Sequence, residues 1–320
     1  MSRRSPWRRL RRATRGPRNW LLARAIGTVG TLIGLLPVRV GLAVGRGLGD
    51  LAHRFLASPR RLARAHVAMA FPALDADARV RLVRATFRHA GASFTELALF
   101  AKIARDPDYV RLEGGPVLDA ALAGGRGVIA VTGHCGNWEL LAAWGAARGW
   151  PITVVVRRVT DLRFHALIVR FRQAAGIEVL VRDDPNFIHG VNEALARNRI
   201  VAMLIDQDTR GAGIFVPFFG RPARTPPGAA VLALRGRVPI VTTFIERRPE
   251  GGHVIRVALQ PTVARRARAG VEELTARLTA TIEAQIRRAP AEWVWWHERW
   301  RHQPDAPPLP ATPGAVRAHR

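Results

Sequence analysis

The sequence predicts an α/β fold with a mostly parallel central sheet flanked by helices. Two observations carry that expectation. From about residue 115, short runs rich in Val and Ile, bounded by Gly and Pro, alternate with helical segments, which is how strands joined by crossover helices read. Between residues 50 and 105 the apolar positions recur at helical spacing instead, so that stretch predicts two or three helices. No internal repeat breaks this order.

The first nineteen residues, MSRRSPWRRLRRATRGPRN, are a basic leader. Residues 20–49, WLLARAIGTVGTLIGLLPVRVGLAVGRGLG, are apolar but interrupted by Arg24, Pro37, Arg39 and Arg46. The longest uncharged run, Ala25 to Val38, is shorter than the roughly 20 residues of a spanning helix. The segment therefore reads as a membrane-anchoring helix, interfacial or tilted, with arginines reaching toward anionic head groups. A buried core helix is the alternative, and a secretory signal lacks a clearly placed cleavage site. Residues 50–302 hold the remaining elements. DADARVRLVRATFRHAGASFTELALF, with acidic residues at its start, is the clearest early helix. GVIAVT, PITVVV, IEVLV, RIVAMLID, VPIVTTFIE and HVIRVALQ are strands, separated by helices such as ELLAAWGAAR and FIHGVNEALARN. A last helix, about 270–288, leads into EWVWWHERW, and the tail 303–320, rich in Pro and Ala, reads as disordered.

A chain of 320 residues, 48% hydrophobic, is long enough for a sizeable core. The net charge of +26 suits nucleic acid, an anionic membrane surface, or an acidic protein or substrate. Nucleic acid is disfavoured, because the chain carries no zinc-ligand spacing, no basic region feeding heptads and no aromatic ribonucleoprotein signature. All the basic residues but Lys102 are arginine, a bias that genomic composition alone can produce. The single cysteine excludes an internal disulfide framework and suits a reducing compartment.

The stretch VIAVTGHCGNWELLAAWGAARGW brings a histidine, the cysteine and a glutamate together. It reads as strand, loop and helix, with GHCGN at the carboxyl edge of the sheet, where open α/β sheets bind ligands. Asn137 is placed to cap the helix, and Glu139 then lies in the first turn, where the helix dipole favours negative charge. On a continuous helix His134 and Glu139 would point about 140° apart, but across a capped loop they can meet. The glutamate would then hold one imidazole nitrogen and leave the other as a general base. Cys135 is the rival nucleophile, read as a buried bystander. With no His-x-x-x-His pair nearby, neither a metal nor another cofactor is expected. Downstream, LIDQDTRGAGIFVPFFGRPARTPPG ends a strand at Asp206 and adds Asp208 and Arg210. Arg221 and Arg224 follow, next to a helix expected to start near Pro226, an arrangement suited to an anion.

These segments resemble a known family. GHCGNWEL is similar to the motif of bacterial lysophospholipid and glycolipid acyltransferases in which a His is followed five positions later by Asp or Glu. VVVRRVTD, DQDTRGAGIFVPFFGRPARTPPG and EWVWWHERW resemble, in order, further segments of the lipid A biosynthesis acyltransferases. The resemblance covers about residues 20–303. It implies a glycerol-3-phosphate acyltransferase-like fold, with 50–302 as the acyltransferase domain. It also implies transfer of a fatty acyl chain from acyl carrier protein or coenzyme A to a hydroxyl of an anionic glycolipid, most closely a lipid A precursor. The implied place is the inner membrane, with the active site facing the cytoplasm. By position, His134 would be the base and Glu139 its orienting acid. Arg157 would match the family arginine, although Arg158, Thr160 and Asp161 stand where the family usually has Pro and Asp-Asn. Arg172 would match an arginine of some members, and Asp206 and Asp208 the Asp-x-Asp that supports the histidine or the acceptor. Another lipid acceptor, such as a phosphatidylinositol mannoside or a lysophospholipid, is the alternative within the fold. A non-catalytic basic protein that binds membrane or nucleic acid is the alternative outside it.

Overall fold

The computed structural model describes residues 27–157, 169, 171–209, 211–261, 263 and 268–304. The basic leader, residues 20–26 of the anchoring segment, Arg158, Thr160, Asp161, Arg210 and the tail beyond residue 304 lie outside the described residues.

The amino-terminal region is helical, as its periodicity predicts. Residues 27–35 form a helix that ends before Pro37, and α1 (Val38–Phe55) then runs without a break past residue 49. It buries Gly41, Leu42, Gly45 and Gly49 against α3 (Ala76–Ala98). The contact is backbone to backbone: a Cβ on Gly45 would lie 2.6 Å from the Gly91 carbonyl oxygen, and one on Gly49 2.3 Å from that of Phe87. The opposite face of α1 exposes Val40, Val44, Leu48, Leu51 and Phe55, a stripe at helical spacing, with Arg39 and Arg54 exposed beside it. Helix α2 (Ala57–Ala70) follows, and Asp75 caps α3 by accepting the Ala78 N–H at 2.6 Å. Among the described residues no helix is long and apolar enough to cross a membrane.

The short helix α4 (Phe100–Ile103) leads to the sheet, whose seven strands lie in the order β1-β9-β8-β2-β5-β3-β4. These are β1 (Val110–Glu113), β2 (Val128–Thr132), β3 (Ile152–Val156), β4 (Glu178–Val181), β5 (Ile200–Leu204), β8 (Ile240–Arg247) and β9 (His253–Leu259). Pairing is parallel throughout except between β8 and β9, so β8, β2, β5, β3 and β4 all end at one edge. β6 (Ile214–Phe218) and β7 (Arg221–Thr225) form a separate antiparallel hairpin, turned by Phe219 and Gly220 at φ 51° and 71°.

Helices cover both faces. Ile129, Val131, Val201 and Met203 pack toward α2, α8 (Gly228–Gly236) and α9 (Arg268–Arg288). The alternate residues Val128, Ala130, Ile152, Val154 and Ile200 face α5 (Gly115–Ala123) and α6 (Trp138–Ala147), as the two-residue period of a strand requires. Helix α7 (Phe187–Ala196) joins the first layer through Val191, Ala194 and Leu195.

Candidate active site

The register of β2 and β5 builds the centre of the site. Thr132 lies opposite Leu204, so the residues two positions beyond each strand end, His134 and Asp206, become neighbours. His134 Nδ1 lies 2.8 Å from Asp206 Oδ1, and the His134 backbone N–H donates to Asp206 Oδ2 at 2.7 Å. The Trp293 indole N–H donates to the same Oδ2, also at 2.7 Å. The imidazole is 21% exposed and the carboxylate 1%, so only the imidazole of this pair is accessible. Burial alone would raise the Asp206 carboxyl. The His134 imidazole and the hydrogen bonds from His134 and Trp293 outweigh it and hold the group at about 2. An ionised carboxylate only accepts, so Nδ1 donates to it, and the neutral tautomer that fits this contact has its lone pair on Nε2. The orienting acid of His134 is therefore Asp206. Glu139, expected in that role, instead holds Arg172.

Glu139 sits in the first turn of α6 as expected, and its two oxygens accept from Arg172 Nε at 3.0 Å and Nη2 at 2.5 Å. The Trp138 indole N–H also donates to Glu139 at 3.2 Å, while its ring meets His134 edge-on with centroids 5.0 Å apart. Asn137 caps α6 by accepting the Leu140 N–H at 3.1 Å. Its amide donates to the Ser93 carbonyl and to Glu96 Oε2 at 3.1 and 2.9 Å. Glu96 is fully buried and binds Tyr109, Arg247 and His253 as well. These partners keep it ionised well below the usual carboxylate range in spite of its burial. One buried charge thus ties α3, β8, β9 and the His134 loop together.

The loop itself leaves little freedom. Gly136 has φ 63°, its N–H donates to the Glu292 carbonyl at 2.9 Å, and a Cβ there would lie 1.9 Å from the Ile245 carbonyl oxygen. Cys135 pairs in a β-bridge with Trp293 and is buried. Burial, with Asp206 and Glu292 nearby, pushes its thiol far up, so it stays protonated and unreactive.

His134 opens on a cavity of about 460 Å³. Its polar end carries Arg157, Arg172, Arg182, Gln207, His297 and Arg301 around His134 and Glu139. Its apolar part runs over one face of the sheet, along Ala130, Ile152, Val154, Ile200, Ala202 and Val241, under Leu118, Leu141 and Trp150. Asp208 borders the cavity too, but its Oδ2 is taken by His302 Nδ1 at 2.6 Å and by Arg301 Nε at 3.3 Å. Arg221 and Arg224 are not brought into the site. They lie on the hairpin strand β7, Arg224 donating to the Gly211 carbonyl at 2.9 Å; the following helix does start near Pro226, at Gly228 with Pro227 as its cap. Among the described residues no three His, Cys, Asp or Glu side chains cluster to hold a metal ion.

Sequence reading did not single out Trp293, which fixes Asp206, or His297, whose imidazole burial holds down at about 4. Their signal lay inside EWVWWHERW, a segment that carries part of the family resemblance without assigning a role to either residue. Glu96 had no local signal; its partners lie between 13 and 157 positions away.

Known proteins are similar to this chain in sequence. Residues 9–302 match the sequence model of the bacterial lipid A biosynthesis acyltransferases. A phosphatidylinositol mannoside acyltransferase of Mycobacterium tuberculosis is 30% identical over 203 residues, 62% of each chain. The match thus spans under two thirds of that relative's length. A lipid A biosynthesis palmitoleoyltransferase of Escherichia coli is 26% identical over 299 residues, 90% of this chain and 93% of its own. A lipid A biosynthesis lauroyltransferase of the same organism is 26% identical over 296 residues, 91% and 95% respectively. With a family match covering nearly the whole chain, this protein belongs to the bacterial lipid A biosynthesis acyltransferase family.

Proposed function

We propose that this protein transfers a fatty acyl chain from an acyl thioester to a hydroxyl of a membrane glycolipid, with a lipid A precursor as acceptor. The observation that carries the reading is a partly exposed imidazole, held by a buried carboxylate, on a cavity whose wall over the sheet is apolar. His134 Nε2 takes the proton of the acceptor hydroxyl as its oxygen attacks the thioester carbonyl. Asp206 keeps the tautomer and offsets the charge of the imidazolium. Collapse of the tetrahedral intermediate breaks the carbon–sulfur bond, and the imidazolium returns the proton to the departing thiolate. No covalent acyl-enzyme forms, so Cys135 takes no part. Glu139 acts by holding Arg172 at the cavity mouth, where Arg157, Arg182 and Arg301 add positive charge for the anionic groups of donor and acceptor.

The acyl chain lies in the apolar part of the cavity. Acyl carrier protein is the donor, drawn by a net charge of +26, with coenzyme A as the second candidate. The exposed stripe of α1 and its flanking arginines support an interfacial seat on the cytoplasmic leaflet of the inner membrane. The mycobacterial relatives favour a second acceptor, a phosphatidylinositol mannoside. The test is acyl transfer by purified protein from labelled acyl carrier protein or acyl coenzyme A into a membrane lipid extract, with products weighed by mass spectrometry. Wild type should add one acyl mass to one lipid class and His134→Ala should not. Transfer undiminished in His134→Ala would remove the proposed base.

A further inference from the structure

Trp138 and Glu139 border not one opening but two. The second is a cleft of about 240 Å³ between one side of α3, at Ala90, Phe94 and Leu97, and the aromatic segment at Val294 and Trp296. The polar groups on its wall are already engaged. His89 Nε2 lies 3.1 Å from Ser93 Oγ, and the Asn137 side chain is used up by Leu140, Ser93 and Glu96. What remains for a ligand is apolar surface. At its mouth Phe94 is 47% exposed, a large ring left in water beside an apolar opening. The helix that forms its wall is also the one on which α1, with its exposed apolar stripe, is packed.

Acyl transfer between lipids brings two hydrocarbon-bearing molecules to one imidazole, and the cavity over the sheet holds one chain. We propose that the cleft between α3 and Trp296 binds a hydrocarbon chain of the lipid acceptor, with Trp138 separating it from the donor chain. The inference rests on the reading of function above and adds the acceptor's subsite. It fits the position of Trp138 and Glu139, which line both openings, so that an acceptor with its head group next to His134 could lay its chain on the side of α3.

The test compares two acceptors, an acylated membrane lipid that the wild type uses and the water-soluble deacylated form of the same head group. Ala90→Trp fills the cleft, and Phe94→Ser strips its mouth at an exposed position where folding is not at stake. In either variant KM for the acylated acceptor should rise about tenfold, the effect of leaving roughly two methylenes in water. KM for the donor and for the deacylated acceptor should stay within about twofold of wild type. If Ala90→Trp fails to fold by circular dichroism, Phe94→Ser carries the comparison alone. An unchanged KM for the acylated acceptor, or an equal rise for both acceptors or for the donor, overturns the subsite while transfer by the wild type leaves the proposed function standing. Absence of transfer by the wild type with every acceptor overturns the function and the subsite together.

Discussion

Replacing Asp206 with asparagine changes one atom and reverses the chemistry of His134. Asp206 Oδ2 accepts two fixed N–H groups, from the His134 backbone and the Trp293 indole, each at 2.7 Å. An asparagine must keep its oxygen there, because turning the amide would set its NH2 against two donors at a buried position. The NH2 then faces His134 Nδ1, which has to give up its proton and accept. The ring hydrogen moves to Nε2, the atom that should receive the hydroxyl proton, and the base is lost. An imidazole forced into the wrong tautomer costs about 10⁴ in kcat in hydrolases with the same device. At 1.36 kcal/mol per factor of ten, that is about 5 kcal/mol of barrier. The assay is initial-rate acyl transfer at saturating donor and acceptor, with circular dichroism to verify folding. A folded Asp206→Asn enzyme that keeps more than about a tenth of wild-type kcat would refute the role given to Asp206.

Four other outcomes are expected. Arg172→Ala should destabilise the protein by about 1–3 kcal/mol, because it leaves the part-buried Glu139 carboxylate unpaired. The double variant with Glu139→Ala should cost less than the sum of the two, and additive denaturation midpoints would show that the pair is not coupled. Gly136→Ala should cost more than about 3 kcal/mol in urea unfolding, since it combines a left-handed backbone with a clash against the Ile245 carbonyl; a loss below 1 kcal/mol would contradict the loop geometry. Burial raises the Glu292 carboxyl to about 7, so its contribution to stability is complete below its unfolded value of 4.5 and is lost as pH rises through 7. Glu292→Gln should therefore gain on wild type by on the order of 1–3 kcal/mol between pH 5 and 8, and parallel thermal-shift curves would exclude this. Ala202→Phe, in the middle of the sheet-side cavity, should move the donor preference to shorter acyl chains, as read from competition between thioesters of different length. An unchanged preference would place the donor chain elsewhere.

Six strands are visible in the sequence because runs such as VIAVT and IVAML are apolar throughout and bounded by turn residues. β1 escapes because VRLE is four residues long and alternates charge with apolar side chains. The hairpin of β6 and β7 escapes because Pro217 and Pro222 face each other across it, and proline argues against a strand. The His134 loop is legible as strand, turn, cap and helix, down to the Asn137 cap. The partner of His134 is not legible from local spacing; the family resemblance alone offers Asp206, as support for the histidine or the acceptor. Glu139 lies five positions away and Asp206 seventy-two, and local spacing favours the near acid. Only the adjacency of β2 and β5, a matter of sheet order that strand identity does not contain, brings Asp206 in. The same holds for Glu96 and Trp293, whose partners meet through the packing of distant elements.

The protonation of the His134 ring decides whether Asp206 holds the imidazole as a base. Nitrogen-15 NMR of histidine-labelled protein, with His134 assigned by its absence in His134→Ala, reads which nitrogen carries the proton once the ring is neutral. Nδ1–H with a bare Nε2 is expected in wild type, and the reverse in Asp206→Asn. A neutral wild-type ring protonated on Nε2 would mean that Asp206 does not hold the imidazole and that His134 is not the base.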